Sequence, residues 1–267
     1  MEQITKNVYV EIGFAGSNNT FVTTSEGIVM IDTPQSPADA MTWRSEIDRH
    51  GQVKYIINTE PHGDHVSGNF FFEGTVIGHD GVRDAIMAMS AGQAKQQAKQ
   101  SGTPLPDDFC YRPPAITFSK ELTLHAGNHT FKMVNMPGHS PYQAAVYIVE
   151  ERVVCTSDNI VYHTQPFLQQ SLPYEWLKSL ERYKEFDTDF LVPGHGKVCT
   201  PDFIPEMQKI IQSWIDVVKE AISLGKTPDE TKEDAALFEK YGIKLKSDPM
   251  SKMGIGGGVA RLFEVLG

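Results

Sequence analysis

The stretch Asn58-Thr59-Glu60-Pro61-His62-Gly63-Asp64-His65 decides the fold, because it places four potential metal ligands within six residues directly after an apolar run. These ligands offer the imidazole nitrogen and carboxylate oxygen atoms that Zn²⁺ and similar ions bind in proteins. The run over residues 54–58 predicts a strand, so the four side chains follow a strand end, where open α/β sheets place their ligands. The segment therefore predicts a metal site.

Alternation along an extended loop gives a first expectation for the geometry of this cluster. Side chains two residues apart point the same way, so Glu60, His62 and Asp64 are expected to converge on one side of the loop. His65 would then turn toward a neighbouring point. The segment would thus offer ligands to two metal centres rather than one.

Length and composition restrict the class of protein. The chain has 267 residues, 40% of them hydrophobic, and is long enough to bury a large core. No apolar run approaches the ~20 residues that span a bilayer, so no membrane partner is expected. The formal net charge of -10 argues against a nucleic-acid partner, which normally binds a basic face.

Two features of the sequence indicate a cytoplasmic site of action. The N-terminus enters a strand-like pattern at once and lacks the apolar core of a secretory signal. The cysteines, Cys110, Cys155 and Cys199, form no CxxC pair, and their wide spacing suits a reducing compartment better than a disulfide framework. We expect all three thiols to be inert.

Short apolar or alternating runs bounded by turn residues predict two successive groups of strands. The first group covers residues 8–11, 20–24, 28–32 and 54–58, with a helix over 37–50 that joins the last two as a βαβ unit. The second group covers residues 115–118, 122–125, 130–135, 144–149 and 153–156. Helices are predicted over 174–186 and 203–224, and the last 40 residues are helical in pattern. This order favours one α/β domain over residues 1–267, built as a compact αββα sandwich.

Residues 80–102 predict a helix that loses its apolar face along its length. The helix begins with good helix formers and becomes polar on all sides, which is typical of an exposed segment. The proline-rich residues 103–114 predict an irregular connection. We therefore expect a helical lid at about residues 80–112.

Three further candidate ligands stand in matching contexts. His139 lies in MPGHS, Asp158 in CTSDN and His195 in LVPGHG, and each follows an apolar run that predicts a strand. Because ligands of α/β proteins gather at the carboxyl ends of strands, we expect these three side chains to meet the first cluster at one sheet edge.

The order of these motifs resembles the metallo-β-lactamase-fold hydrolase superfamily along nearly the whole chain. Glu60 is the departure, because the family's HxHxDH pattern begins with histidine and this chain has ExHxDH. The resemblance implies a four-layer αββα sandwich, in which two mixed β-sheets are flanked by helices. It also implies that Asp32, in VMIDT, supports the metal-binding loop from behind the ligands. The ligand sets that it implies are Glu60, His62 and His139 for one ion and Asp64, His65 and His195 for a second, with Asp158 bridging them.

Glu60 changes the expected properties of the metal centre. Two divalent ions bring four positive charges, and a bridging hydroxide with three ionised carboxylates balances them, so that the site polarises water and attracts anions less strongly. Oxygen in place of nitrogen also shifts the metal preference toward Mn²⁺ or Fe²⁺. We expect two divalent ions, with Zn²⁺ as the first choice, Mn²⁺ or Fe²⁺ as alternatives, and single occupancy left open.

The resemblance implies a metal-dependent hydrolase in which a metal-bridging hydroxide attacks a small electrophilic substrate. The substrate classes are β-lactams, lactones, thioesters, ester or amide-like compounds, and isothiocyanates. Asp64 is the candidate catalytic residue, since it would orient the nucleophile or receive its proton. Tyr162 and His163, in the loop after Asp158, are candidate substrate contacts, and Tyr142 is a candidate for the pocket wall.

Two alternatives to a hydrolase stay open at this point. One is a non-haem iron oxidoreductase or dioxygenase on the same fold, and the other is a metal-binding protein without catalysis. The sequence does not determine the oligomeric state, and a homodimer is left open.

Overall fold

Two mixed β-sheets lie face to face in the computed structural model, which describes residues 1–100, 102–246 and 248–267. The first sheet has its strands in chain order: β1 (Glu2–Gln3), β2 (Val8–Glu11), β3 (Asn19–Thr24), β4 (Gly27–Ile31), β5 (Val53–Asn58), β6 (Thr75–His79) and β7 (Ile116–Phe118). Strands β1 to β4 pair antiparallel, whereas β4 to β7 pair parallel. The carboxyl ends of β4, β5 and β6 therefore share one edge.

The second sheet has the spatial order β12-β11-β10-β9-β8. Its strands are β8 (Glu121–Ala126), β9 (His129–Asn135), β10 (Ala144–Ile148), β11 (Val153–Val161) and β12 (Phe190–His195). All neighbours pair antiparallel except β11 and β12, which are parallel. Both β11 and β12 consequently deliver their carboxyl ends to the same side of the molecule.

The helices lie on the outer faces of the two sheets or in the connections between strands. They are α1 (Pro37–Ile47), α2 (Gly63–Val66), α3 (Asp80–Ala88), α4 (Ala91–Gln100), α5 (Pro173–Arg182), α6 (Ile204–Ser223), α7 (Pro228–Lys232), α8 (Ala235–Lys240) and α9 (Pro249–Leu266). Short 3₁₀ turns lie at Ser67–Phe71, Tyr183–Glu185 and Pro201–Phe203. Within the described ranges, no helix is both long enough and apolar enough to cross a membrane.

Three buried clusters account for the layers. Between the sheets, inward side chains such as Val29 and Ile57 meet Phe131 and Val146 of the opposite sheet. Behind the first sheet, Trp43 of α1 packs on its outer face. Behind the second, a larger cluster joins α5, α6, α8 and α9. Burial of apolar area at about 25 cal/mol per Å² is the main stabilising term in such a core. The predicted αββα sandwich and its βαβ unit, β4-α1-β5, are confirmed.

Some predicted boundaries were wrong. The helix predicted over 80–102 is two helices, α3 and α4, because Met89 adopts an extended conformation that ends the first. The strand predicted over 153–156 continues to Val161. Strands β1 and β6 and the single turn α2 were missed, since short elements carry little periodic signal.

Candidate metal centre

The cluster of residues 60–65 begins in a loop and ends in a helical turn. Strand β5 ends at Asn58, and His62 adopts the extended conformation of an N-cap before α2. The alternation expected from the sequence was therefore wrong for Asp64, which groups with His65 and not with Glu60 and His62. The reason is geometric, because consecutive residues of a helix lie about 100° apart around its axis, whereas in an extended chain they point to opposite sides.

Asp32 and Thr59 hold this loop from beneath. Asp32 is 3% exposed at the end of β4, and its carboxylate accepts hydrogen bonds from the Thr59 N–H at 2.8 Å and the Thr59 hydroxyl at 2.5 Å. His65 donates its Nδ1–H to Asp32 Oδ2 at 2.8 Å. This contact orients the imidazole so that His65 Nε2 points into the cluster, toward Glu60 and Asp158.

The turn after β9 carries His139 and anchors it in the same way. The His139 Nδ1–H donates to the backbone carbonyl of Phe167 at 2.7 Å, which leaves Nε2 free to face the cluster. The His139 backbone N–H donates to Asn159 Oδ1 at 2.9 Å, and Asn159 Nδ2 donates to the Met136 carbonyl at 2.7 Å. One buried asparagine thus holds the whole turn.

Asp158 and His195 come from the parallel neighbours β11 and β12. Both lie within their strands, not after them as expected: Asp158 follows an irregularity at Ser157, which has a φ of 48°, and His195 is the last residue of β12. The two strands approach closely beside the site. A Cβ on Gly194 would lie 1.8 Å from Asp158 Oδ1, so glycine is required before His195.

Six of the seven side chains form two adjoining groups of possible ligands. In the first, His62 Nδ1 lies 3.0 Å from Glu60 Oε2 and 3.1 Å from His139 Nε2, and Glu60 Oε2 lies 3.5 Å from His139 Nε2. In the second, His195 Nε2 lies 3.4 Å from Asp64 Oδ2, and His65 Nε2 lies 3.9 Å from the same oxygen.

Asp158 lies between these two groups. Its Oδ1 is 3.3 Å from His65 Nε2, and its Oδ2 is 3.6 Å from His139 Nε2 and 3.4 Å from His195 Nε2. Asp158 also forms a third possible ligand group with Glu60 and His65.

The exposure of the side chains shows which ligands form the buried floor of the site and which lie at its opening to solvent. The side chains of Glu60 and His65 are 0% exposed and that of Asp158 is 7% exposed. In contrast, His62 is 31% exposed and Asp64 is 24% exposed. A small molecule that enters from solvent therefore meets His62, Asp64 and the equally exposed His195 first.

Electrostatics keep the carboxylates ionised. Burial opposes the charged form of Glu60, but positive charge on His139 and His65 outweighs it and lowers the Glu60 pKa. Burial likewise opposes ionisation of Asp158, yet His195 and His65 hold its pKa well below the ordinary value. Burial would lower the pKa of His195, but Asp158 raises it to about 10.

The residues fit divalent metal ions. Four buried atoms of the candidate ligands have no aligned hydrogen-bond partner: both oxygens of Glu60, His65 Nε2 and Asp158 Oδ1. Buried polar atoms without partners are costly, which an ion bound between them would relieve. Both His65 and His139 donate their other ring nitrogen to an oxygen acceptor, as metal-binding histidines do. Within the described part of the chain, the ion-pair partners of the three carboxylates are histidines only.

Comparison with protein families agrees with this architecture. A sequence model described as the metallo-beta-lactamase superfamily matches residues 12–195, which is more than half of the chain. The chain belongs to the metallo-β-lactamase superfamily. The matched range contains all seven candidate ligands and ends at His195.

Two named proteins are similar to this superfamily member at low identity. The beta-lactamase-like protein 2 homolog of Caenorhabditis elegans is 22% identical over 214 residues, covering 77% of this chain and 66% of that protein. The linear primary-alkylsulfatase of a Pseudomonas strain is 20% identical over 261 residues, covering 79% of this chain and 48% of that protein. The chain thus spans less than two thirds of the length of either relative.

Solved structures of similar proteins share the fold. A metallo-beta-lactamase family protein from Thermus thermophilus superposes with a TM-score of 0.72 at 18% identity, covering 99% of this chain and 94% of that chain. A stereoselective inverting sec-alkylsulfatase from Pseudomonas sp. also gives 0.72, at 15% identity, covering 96% of this chain and 49% of that chain. At such identities the likeness is one of fold.

The predicted substrate contacts Tyr162 and His163 and the predicted pocket-wall residue Tyr142 have different surroundings in this superfamily member. The Tyr162 ring packs 4.7 Å from the Phe203 ring, and the Tyr162 N–H donates to the His195 carbonyl. The His163 side chain is 59% exposed, with Nδ1 3.6 Å from Glu206 Oε1. Tyr142, which is 41% exposed, stacks on His79 at 5.5 Å. Substrate contact by these residues stays a prediction.

Residues 17 and 18 hold the second ligand group and were missed by sequence reasoning. Ser17 Oγ donates to the Asp64 carbonyl at 2.7 Å. Asn18 Nδ2 donates to the carbonyls of Pro193 and Gly196 at 2.8 Å each, on either side of His195. Their signal in the sequence is a run of polar residues, Ser-Asn-Asn-Thr, that leads into β3.

Proposed function

We propose that this chain is a metal-dependent hydrolase that cleaves a small electrophilic substrate. The observation that carries the proposal is the convergence of three carboxylates and four histidines around buried atoms that lack hydrogen-bond partners. Glu60, His62 and His139 would hold one divalent ion, Asp64, His65 and His195 a second, and Asp158 would contact both. When bound, such ions act as Lewis acids and lower the pKa of water toward neutrality. Zn²⁺ is our first choice, with Mn²⁺ or Fe²⁺ as alternatives.

Asp64 is the proposed catalytic residue. It is the most exposed carboxylate of the three, since its side chain is 24% exposed and those of Glu60 and Asp158 are at most 7% exposed. Its position at the opening lets a carboxylate oxygen orient the attacking water and hold the proton that the water loses. Burial opposes ionisation of Asp64, but His65 and His195 outweigh burial and lower its pKa, which keeps it charged for this role. Asp32 positions His65 and Thr59 and takes no proton from substrate.

The proposed substrates are neutral compounds, namely β-lactams, lactones, thioesters, ester or amide-like compounds, and isothiocyanates. Three ionised carboxylates compensate most of the charge of two divalent ions, which weakens attraction for anions. Two similar proteins are named as alkylsulfatases. An alkyl sulfate therefore belongs in the test as the anionic comparison, and we expect it to be hydrolysed more slowly than the neutral substrates.

Residues 80–112 remain our proposed lid. Helix α4 has no buried residue among those described. Helix α3 begins close to the site, because Gly81 in its first turn contacts the ring of Tyr142, and Tyr142 lies three residues after His139. The described part of this segment thus starts next to the site, continues through an exposed helix and ends at Arg112, which donates to the carbonyls of Asn69 and Gly74. Slower hydrogen exchange of residues 91–100 when a substrate analogue is bound would support a lid. The single domain over residues 1–267 and the cytoplasmic location also stay predictions.

The test combines metal analysis with hydrolysis assays. We expect about two divalent ions per chain, loss of hydrolysis on chelation, and recovery when metal is restored. With metal content held equal, Asp64→Asn should lower kcat by about 100-fold or more, the usual contribution of acid–base catalysis. Asp229→Asn, at a remote and exposed carboxylate, serves as the control. Full turnover by Asp64→Asn would remove Asp64 from the mechanism, and oxygen consumption by an iron-loaded protein would favour the oxidoreductase alternative.

A further inference from the structure

The two carboxylate oxygens of Glu60 face different ligand groups. Glu60 Oε2 lies 3.0 Å from His62 Nδ1 and 3.5 Å from His139 Nε2, which belong to the first group. Glu60 Oε1 lies 2.9 Å from His65 Nε2, which belongs to the second. Glu60 therefore takes part in two possible ligand groups, one with His62 and one with His65.

These separations are those of ligands that share an ion. Two ligand atoms held at ~2.0 to 2.2 Å from one ion, with tetrahedral or octahedral angles between them, lie roughly 2.8 to 3.6 Å apart. All three Glu60 distances fall in this range. The shortest distance joins Glu60 Oε1 to His65 Nε2, and neither atom has an aligned hydrogen-bond partner.

We infer that Glu60 would be a second bridging carboxylate, with Oε2 serving the ion held with His62 and His139 and Oε1 serving the ion held with His65. The inference rests on the proposed two-metal centre and assigns Glu60 a role that a histidine in its place could not fill, because an imidazole there would present one nitrogen to one ion. Asp158 is the other bridge, since its oxygens also face both groups. Because a bridging carboxylate contributes to the binding of both ions, loss of either bridge should weaken both.

If Glu60 bridges the two ions, replacing it should also weaken binding of the ion that Asp64, His65 and His195 hold. Glu60→His replaces the ligand of the first ion by a competent nitrogen and removes the oxygen that faces His65. The first ion should therefore bind nearly as before. The second should bind at least about tenfold more weakly, a loss in the range seen when a group that supports a metal ligand is removed, although Asp64, His65 and His195 are unchanged.

The experiment is a titration of the metal-stripped protein with Zn²⁺ alone, followed by ¹⁵N NMR of the histidine side chains. Signals of His62 and His139 report the first position, and those of His65 and His195 report the second. Glu60→His is compared with Glu60→Gln, which keeps the shape of glutamate but offers one oxygen and should weaken both positions. Asp64→Asn is the matched control that should weaken the second position alone.

The outcomes separate this inference from the proposed function. If Glu60→His leaves the Zn²⁺ affinity at His65 and His195 within about twofold of wild type while Asp64→Asn weakens it, Glu60 serves one ion and the bridge is disproved. Hydrolysis by the wild type is measured separately, so a two-metal protein without hydrolytic activity would overturn the proposed function and leave the bridge intact. A wild type that binds no divalent metal ion stoichiometrically would overturn both.

Discussion

At the scale of single residues, two asparagines hold the turns that carry His139 and His195. Asn159 ties the first turn through the His139 N–H and the Met136 carbonyl. Asn18 ties the second through the Pro193 and Gly196 carbonyls, and its own N–H donates to the Gly194 carbonyl at 2.7 Å. Both side chains are buried, so neither set of hydrogen bonds is replaced readily by water.

Removing either asparagine side chain should weaken one metal position selectively. In Asn18→Ala the buried carbonyls around His195 lose their donors, which should cost about 1 to 3 kcal/mol of unfolding free energy. We also expect a loss of metal affinity of roughly 10- to 100-fold at the His65 and His195 position, as is typical when a group behind a metal ligand is removed.

Asn159→Ala is the counterpart and should weaken the His62 and His139 position instead. Urea unfolding and Zn²⁺ titration of both variants measure the two effects. Equal weakening of both positions by each variant would show that the asparagines act on overall stability and not on individual turns.

At the scale of strands and helices, the sequence predicted the apolar elements well and the polar segments poorly. The runs over 8–11, 20–24 and 130–135 correspond to β2, β3 and β9, because alternating or apolar residues next to turn residues fit a half-buried strand. The motifs also placed the seven candidate ligands close to the ends of strands. Burial of one face was enough to give these strands a recognisable pattern of apolar residues.

The full length of strand β11 could not be predicted from the sequence. Every residue from Val153 to Val161 is buried, including Ser157, Asp158 and Asn159, so no alternation marks the strand and its polar half resembles a loop. Two of these polar residues are paired with distant segments: Asn159 holds the His139 turn, and Ser157 Oγ lies 2.8 Å from Thr59 Oγ1. Such pairing depends on distant parts of the chain, which local patterns do not reveal.

Glu151 joins the two sheets at the end remote from the metal centre. It lies in the turn between β10 and β11 and accepts hydrogen bonds from the Thr5 hydroxyl, from Asn7 Nδ2 at 2.6 Å and from His129 Nε2 at 2.9 Å. Burial opposes its ionisation, but the hydrogen bonds from Thr5, Asn7 and His129 outweigh burial and lower the Glu151 pKa. The carboxylate therefore favours the folded state while it is charged.

Glu151→Gln should destabilise the protein in a pH-dependent way. Because the folded pKa lies below the unfolded value of ~4.3, the contribution of Glu151 is fully present above that pH and is lost as the pH falls through the folded pKa. We expect a loss of about 1 to 3 kcal/mol at pH 7, typical of hydrogen bonds to a charged group.

Urea unfolding at pH 7 and at lower pH tests this expectation, with the exposed Glu73→Gln as control. The difference in unfolding free energy between wild type and Glu151→Gln should shrink as the pH falls below about 4. A difference that stays constant with pH would contradict the role assigned to the charged form.

At the scale of the whole molecule, α9 connects the C-terminus to the candidate metal centre. This helix lies outside the residues matched by the superfamily model, yet Ile255, Val259 and Leu262 are buried in the same cluster as Leu168. Its glycines allow close approach to the loop over residues 167–169. A Cβ on Gly254 would lie 2.6 Å from Phe167 Cε1, and Phe167 supplies the carbonyl that orients His139.

Gly254→Ala and Gly256→Ala should therefore have opposite effects, although both replace glycine in the same helix. Alanine at either position raises helix propensity by about 1 kcal/mol. At Gly256 the nearest atom to a Cβ is Lys232 Cδ at 3.7 Å, an ordinary contact, so that gain should appear as higher stability. At Gly254 the new methyl group meets the Phe167 ring, and overpacking should cost roughly 1 to 3 kcal/mol.

Displacement of Phe167 would also move the acceptor of the His139 Nδ1–H, so Gly254→Ala should weaken metal binding at the His62 and His139 position while Gly256→Ala leaves it unchanged. The measurements are urea unfolding and Zn²⁺ titration followed through the His139 ¹⁵N signal. Since helix propensity is the same in the two variants, any difference between them reports the contact between α9 and the loop. Equal stabilisation and equal metal affinity would show that α9 packs on the loop without influencing His139. A weakened first position in Gly254→Ala alone would instead establish that the C-terminal helix, remote in sequence from every candidate ligand, helps to set the geometry of the metal centre.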